Sequence, residues 1–461
     1  MVQKKRLLLA FYGDDFTGST DALELLTLAG VKTVLFLKKP NQFDLDKFSG
    51  VQAIGVAGKS RSMSPKDMEN ELVPVFKSLK RLNPEHVHYK VCSTFDSAPH
   101  IGNIGKAIEI GQSIFEQKRV FVSPSAPHLG RYCVFGNLFA KMGTSGDGKI
   151  YRIDRHPSMS KHPVTPALEG DLTLHLSRQT SKSIGLVDAT VIEEGKEAVL
   201  NAIAKVGKSE ILFFDGFNTE HLQTLGDVFN TLAKEKTLFS VGSSGVEMAL
   251  GLDWKAKAVI RHAKEFKILG KNGPLLVLSG SCSPVTEAQI CYAVENGFDE
   301  IALGIEALDK SIQNKIIEVV VSQIEANFNA GKSTILHTSK GPDDSRILET
   351  EAYFKKQGLK PDAIQNACSS NYGYILGQIA KHVLAKTNLK RILFAGGDTS
   401  SYAASELNIS ALEMIAPLAP GAPLCRAISD DALVDGLELN FKGGQVGTKD
   451  YFIKVLNGEK L

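Results

Sequence analysis

Residues 6 to 30 read RLLLAFYGDDFTGSTDALELLTLAG, and this stretch decides the fold. RLLLAFY is a continuous apolar run, the pattern of a parallel strand buried on both faces. GDDFTGS is turn chemistry. Ser19, Thr20 or Asp21 can cap the following helix DALELLTLAG, which Gly30 ends. VKTVLFL supplies the next strand, so the chain opens on a strand–helix–strand unit.

The alternation continues through VQAIGVAG, VHYKVC and KRVFVSPSA, then breaks at residues 252 to 274. LDWKAKAVIRHAKEFKILGKNGP is rich in Lys and ends in Asn-Gly-Pro, the composition of a linker or domain edge. Beyond it PLLVLSGSCS, DEIALGI, STILHTSKG, KRILFAGGDTS and LELNFKGG form a second series. The chain has 461 residues, too many for one ordinary core. The expectation is two α/β domains with mostly parallel sheets, residues 1–255 and 256–461.

Composition narrows the function classes. With 43% hydrophobic residues, 23% charged residues and a net charge of +2, no basic stripe recommends nucleic acid as a partner and none recommends a membrane surface. Cys92, Cys133, Cys282, Cys291, Cys368 and Cys425 are scattered without a CxxC pair, a pattern of a reducing compartment. Lys4, Lys5 and Arg6 ahead of an apolar run imitate a secretion signal, but the run stops after Tyr12, so a buried strand and a cytoplasmic location are expected.

In open α/β sheets, ligands bind outside the carboxyl ends of strands, where loops meet helix N-termini. Asp14 and Asp15 occupy such a loop. The residues alone leave two readings of it: a solvated, capped turn, or a site in which a carboxylate serves a substrate hydroxyl. Ser123, Ser125, His128 and Arg131 follow another buried strand, and Arg131 suits a substrate carboxylate. In the second half, Ser279, Gly280, Ser281 and Ser283 could cradle phosphate oxygens. Gly396 and Gly397 allow close backbone approach, with Asp398 or Thr399 in reach of a metal or ribose. Gly443, Gly444 and Gly447 are odd choices for an undemanding loop. Taken together, these loops favour a nucleotide or phosphate site.

Other signals are set aside. AGKST, residues 330 to 334, ends like a phosphate-binding loop, but position 326 is Ala326 and the segment precedes a strand. His86 and His88 share a strand face without a third ligand at metal spacing. His156 and His162, with Asp154, lie in a Pro-rich loop and read as structural or substrate-binding. No protein ligand for a metal is assigned.

The ordered set of loops resembles the four-carbon acid sugar kinases. GDDFTGSTDA is similar to that family's ADDFTGA-type motif, and SRS at 60 to 62 to its Thr-Arg-Ser loop. GR at 130 to 131, VGSSG at 241 to 245, LSGSCSPVT, AGGDTS, APGAP and KGGQVG follow in the family's order. The resemblance implies an N-terminal acid-sugar domain, a C-terminal nucleotide domain and an active site in the interdomain cleft. It implies transfer of the γ-phosphoryl of ATP, with Mg²⁺, to a terminal hydroxyl of a tetronate or 3-oxo-tetronate. By position, Asp14, Asp15, Arg61 and the Lys90, Cys92, Ser93 and Thr94 segment would face the sugar acid. Ser279 or Ser281, Gly396, Gly397, Asp398, Thr399 and Gly444 would hold ATP, and the same loop adds Gly447. Asp15, or failing that Asp14, would serve the hydroxyl, while Arg61 and Lys90 neutralise the substrate carboxylate.

One stretch departs from the family pattern. KVCSTFDSAPHIGNIG, residues 90 to 105, has Cys92 where the family has Asp, and FDSAPHIG where it has Leu-Arg-Gly. Asp96 and His100 are expected to take over polar contacts, which marks a divergent branch. Competing readings are a non-catalytic binder of sugar acid and nucleotide, and an ATP-independent isomerase or aldolase. A homodimer is one expectation for the assembly, which the residues do not decide.

Overall fold

The computed structural model describes residues 6–142, 148–162, 164–260 and 265–459. They form two compact units that divide between residues 264 and 265.

The N-terminal unit is built on a parallel sheet of β1 (Leu9–Gly13), β2 (Thr33–Phe36), β3 (Ala53–Ala57), β4 (His86–Lys90), β5 (Val120–Ser123), β9 (Ile184–Val187), β10 (Ile211–Phe214) and β11 (Leu238–Gly242). Their spatial order is β2-β3-β1-β4-β11-β5-β10-β9. β6 (Arg131–Val134), β7 (Asn137–Lys141) and β8 (Ile150–Arg152) make a separate antiparallel sheet. Leu9, Ala10, Phe11 and Tyr12 are wholly buried. Removing such side chains from water stabilises by roughly 1.5–3 kcal/mol each for the larger ones, which is why β1 sits inside the sheet. The chain leaves β1 toward β2 and β3 on one side and returns to β4 on the other. This makes the carboxyl end of β1 a topological switch point. Register aligns the strand ends there: Gly13 lies opposite both Ala57 and Lys90, and Gly242 opposite Lys90 and Ser123.

The helix after β1 begins earlier than expected, at Phe16, and runs to Ala29. Its cap is Asp15 rather than Ser19, Thr20 or Asp21, because the Gly18 amide donates to Asp15 Oδ1 at 2.6 Å. Ser19 and Thr20 instead donate their hydroxyls back to the Asp15 and Thr17 carbonyls at 2.6 and 2.9 Å. Gly30 closes the helix in the left-handed region, φ 100°. At the far end of the unit, the helix Gly245–Ala256 takes up the first part of the Lys-rich stretch.

The C-terminal unit carries β12 (Leu275–Ser279), β13 (Asp299–Ala302), β14 (Thr334–His337), β15 (Arg391–Ala395), β16 (Ala411–Ala419), β17 (Ala422–Ile428) and β18 (Glu438–Lys442). Their order is β13-β14-β12-β15-β18-β17-β16. The first five in that order run parallel, and β17 pairs antiparallel with both β18 and β16. The APGAP motif supplies the tight turn between β16 and β17, with Gly421 at φ 79°. Ser279, Ala395 and Lys442 are register partners, so three Gly/Ser-rich loops leave adjacent strands at one level. The AGKST segment follows the helix Gln313–Asn329 and leads into β14, the reverse of a phosphate-binding loop. No described helix is long and apolar enough to cross a membrane.

Candidate active site

The switch point of the N-terminal unit gathers most of the predicted sugar-side residues. The Asp14 amide donates to the Lys90 carbonyl at 2.9 Å, and the Arg61 amide to the Asp14 carbonyl at 3.0 Å, so main-chain bonds lock three loops together. The single 3₁₀ turn Ser60–Ser62 folds Arg61 over the two acids. Its guanidinium grips Asp14 with Nη2 to Oδ1 at 2.7 Å and Nε to Oδ2 at 3.0 Å, and Nη1 donates to Asp15 Oδ2 at 2.6 Å. Below them the Tyr12 and Tyr89 rings stack at 5.9 Å, and the Tyr89 and Ser60 hydroxyls share a 2.9 Å hydrogen bond. The floor is therefore rigid and dry.

Burial pushes the Asp14 carboxyl up, opposed by Arg61 and helped by Asp15. Lys90 is buried, and its ammonium lies 3.3 Å from Asp21 Oδ2. Burial acts to lower its pKa, but Asp21, Asp15 and Asp14 together hold it above the ordinary value. A Cβ on Gly18 would lie 2.5 Å from Asp15 Oδ1 and 2.6 Å from Lys90 Nζ, so only glycine leaves room for both groups. Arg61 is committed to the two aspartates. Three of its five donors go to the two aspartates, and its side chain is 22% exposed.

The divergent wall lies alongside. Burial, with Asp96, pushes the Cys92 thiol up to about 11, so it stays protonated at neutral pH; its sulfur sits 3.0 Å from Thr94 Oγ1. Ser93 and Thr94 are half-buried. Phe95 adopts φ 59°, a strained conformation for an aromatic residue, held by packing on Phe213 and His175. Of the two replacements expected here, Asp96 acts electrostatically on both Cys92 and Arg131, whereas His100 is exposed. Arg131 Nη1 donates to the Leu129 and Lys141 carbonyls at 2.8 and 3.1 Å, and its buried Nε has no partner among the described residues. His128 feels Asp21 and Lys90, with burial lowering its pKa first. His156 and His162 accept amides of their own turns and are structural.

In the C-terminal unit Ser279, fully buried, ends β12. Ser281 Oγ and Thr286 Oγ1 are 3.0 Å apart, while Ser283 and Thr286 donate to the Gly444 carbonyl at 2.7 and 3.1 Å. Gly396, at φ 132°, packs its backbone against Gly280 and Ser281, and the Thr399 side chain lies against Gly280. Nothing lies within 4 Å of a Cβ built on Gly397, so that position is open. Asp398 begins the helix Asp398–Glu406, but its side chain lies outside the described residues. Gly447, at φ 89°, accommodates the Tyr451 ring.

Residues 9–250 match the family model described as a sugar-binding N-terminal domain, and residues 276–452 match the nucleotide-binding C-terminal domain. The chain belongs to the four-carbon acid sugar kinase family. It is 40% identical to the 3-oxo-isoapionate kinase of Paraburkholderia graminis over 98% of this chain and 94% of that protein. The 3-oxo-tetronate kinase of Pseudomonas savastanoi pv. phaseolicola is 28% identical, over 98% and 97%. The fold is that of a Haemophilus influenzae crystal structure, at TM-score 0.69 and 23% identity, covering 97% of this chain and 98% of that one. A Salmonella typhimurium LT2 structure described as a tRNA synthase superposes at TM-score 0.73 and 22% identity, covering 98% of each.

Within this family member, sequence reasoning passed over three buried groups. Asp21, the partner of Lys90, was counted only as a helix cap. Glu247, wholly buried, has no hydrogen-bond partner on either oxygen among the described residues and sits 3.8 Å from His88 Nε2; burial pushes it up to about 8. Lys442 ends β18 inside a motif read only for its glycines. Its position, a cation closing an apolar strand before Gly-Gly, was the available signal.

Proposed function

We propose that the chain is an ATP-dependent kinase that phosphorylates a terminal hydroxyl of a small 3-oxo acid sugar. The observation that carries this reading is the Asp14–Asp15–Arg61 cluster at the switch point of the sugar-binding unit. The N-terminal unit would hold the acceptor and the C-terminal unit the ATP.

Asp15 is the better partner for the hydroxyl. Asp14 spends both oxygens on Arg61, whereas Asp15 gives one to Arg61 and one to the Gly18 amide, and its side chain is the more open of the two, 12% exposed against 3%. In the reaction the hydroxyl oxygen attacks the γ-phosphorus, the bond to the β–γ bridging oxygen breaks, and ADP departs. The hydroxyl proton passes to Asp15 and on to solvent. Such transfers ask for positioning and charge neutralisation more than covalent chemistry. Arg131 with Lys90 would neutralise the acceptor's carboxylate.

Mg²⁺ belongs to the nucleotide substrate in this account, neutralising its phosphate oxygens. Among the described residues, no cluster of three or more His, Cys, Asp or Glu is built to hold an ion by itself.

The relatives name two acceptors. The higher identity, 40% against 28%, goes with 3-oxo-isoapionate, which favours it over 3-oxo-tetronate. An ADP-release assay with both acids tests the reading. Acid-dependent ADP formation is expected, with 3-oxo-isoapionate preferred. ATP binding without turnover on either acid would favour a non-catalytic binder.

A further inference from the structure

Lys442 is buried to 0% exposure at the carboxyl end of β18. Its Nζ donates to Thr286 Oγ1 at 2.9 Å, and this is its one hydrogen bond among the described residues. No carboxylate pairs with it there. A lysine ammonium has three donors and is costly to bury without a counter-charge. Thr286 Oγ1 is in turn 3.0 Å from Ser281 Oγ, and Ser281 is 7% exposed at the mouth of the loop. The Gly396 amide donates to the Lys442 carbonyl at 3.0 Å, which ties the strand end to the open Gly396–Gly397 turn. A lysine is thus buried, without an anion to pair with among the described residues, beside hydroxyls that strand-end loops bring together.

We propose that Lys442 is the buried positioning cation of the phosphate site, held in place by Thr286 and acting through space on the polyphosphate of the nucleotide. The proposal rests on the reading that the C-terminal unit binds ATP. The phosphate supplies the counter-charge that the protein withholds, so an empty site keeps the lysine costly and a filled one satisfies it. Burial alone pushes the Lys442 pKa down to about 7. Above that pH the free protein holds the lysine largely neutral, and an arriving polyanion draws a proton onto it. Binding then consumes a proton, which a purely structural lysine would not do.

The test is calorimetric titration of the full chain with ATP, ADP and adenosine at pH 8, in two buffers of different ionisation enthalpy. The wild type should bind ATP with proton uptake visible as a buffer-dependent heat. Lys442→Met, which keeps the length and removes the charge, should weaken ATP and ADP by about 30-fold or more and abolish the uptake, leaving adenosine within about two-fold. Thr286→Val should give a smaller loss in the same direction. ATP affinity within about three-fold of wild type in Lys442→Met, with uptake retained, overturns the proposal. Should Lys442→Met fail to fold, the wild type decides: no buffer dependence between pH 7 and 9 overturns it. If the wild type itself binds no ATP, the nucleotide reading falls, and this proposal falls with it.

Discussion

Arg61 grips both carboxylate oxygens of Asp14, at 2.7 and 3.0 Å, and so turns one of two adjacent acids into a support. The other acid, Asp15, also has each oxygen bonded once, but it is the more exposed of the two and so the one a further partner can reach. Asp14→Asn and Asp15→Asn should therefore part ways. Asp14→Asn weakens a buried ion pair and should cost about 2 kcal/mol, a Tm drop of about 4–8 °C in a unit of this size. Asp15→Asn weakens one contact to Arg61 but keeps an oxygen to cap Gly18, so it should lower Tm by less than Asp14→Asn and lower kcat by about 10²–10⁴-fold with ATP affinity retained. Thermal melts and steady-state rates on the two variants check both statements.

Arg131 is held by backbone carbonyls on Nη1, and its buried Nε lacks a partner among the described residues. If it receives the acid's carboxylate, Arg131→Met should raise KM for the sugar acid by about 10–100-fold, with the KM for ATP unmoved. Equal effects on both substrates would point to a general disturbance of the β6–β7 hairpin.

Gly396 sits at φ 132°, a region that residues with a Cβ rarely adopt. Gly396→Ala should cost about 1–3 kcal/mol and disrupt the ATP loop, raising the ATP KM while the sugar acid still binds. Gly18→Ala should do the converse, since its Cβ would press on Asp15 Oδ1 and Lys90 Nζ. Ligand-induced Tm shifts measured with each substrate alone separate the two.

Glu247 makes stability fall as pH rises. Its carboxyl moves from an ordinary 4.5 to about 8 on folding, chiefly through burial, with Lys90 opposing and Asp21 adding to the rise. Between those values the unfolded chain has lost the proton and the folded one keeps it. The stabilising contribution is full below 4.5 and is lost as pH rises through about 8, amounting to at most about 5 kcal/mol. His88, 3.8 Å away, stays neutral because burial pushes it down to about 3, so it offers no charge to offset the loss. Glu247→Gln should flatten the Tm–pH profile between pH 6 and 9. An unchanged slope would show that the carboxyl does not titrate in that window.

The strands were legible because parallel strands buried on both faces must be continuously apolar, as RLLLAFY and RILFA are. The antiparallel β16–β17 hairpin has a local signal, the Pro420-Gly421 turn between two apolar runs, but APGAP is read in the sequence only as a loop motif. The start of the opening helix is not legible because Ser19, Thr20 and Asp21 are equally good caps by residue type, and only the fold shows that Asp15 accepts the Gly18 amide. Arg61 was found through its loop. Its clamp on Asp14 was not, because tertiary ion pairs between residues 47 positions apart leave no periodic trace. Lys442 was missed for a related reason: burial of a cation is a property of the packed sheet.

The most direct test of the central claim is ³¹P NMR of the products formed from ATP and 3-oxo-isoapionate. Equal amounts of ADP and a phosphomonoester on the terminal carbon of the acid are predicted. ADP accompanied only by inorganic phosphate, or an acid transformed without loss of ATP, would contradict it.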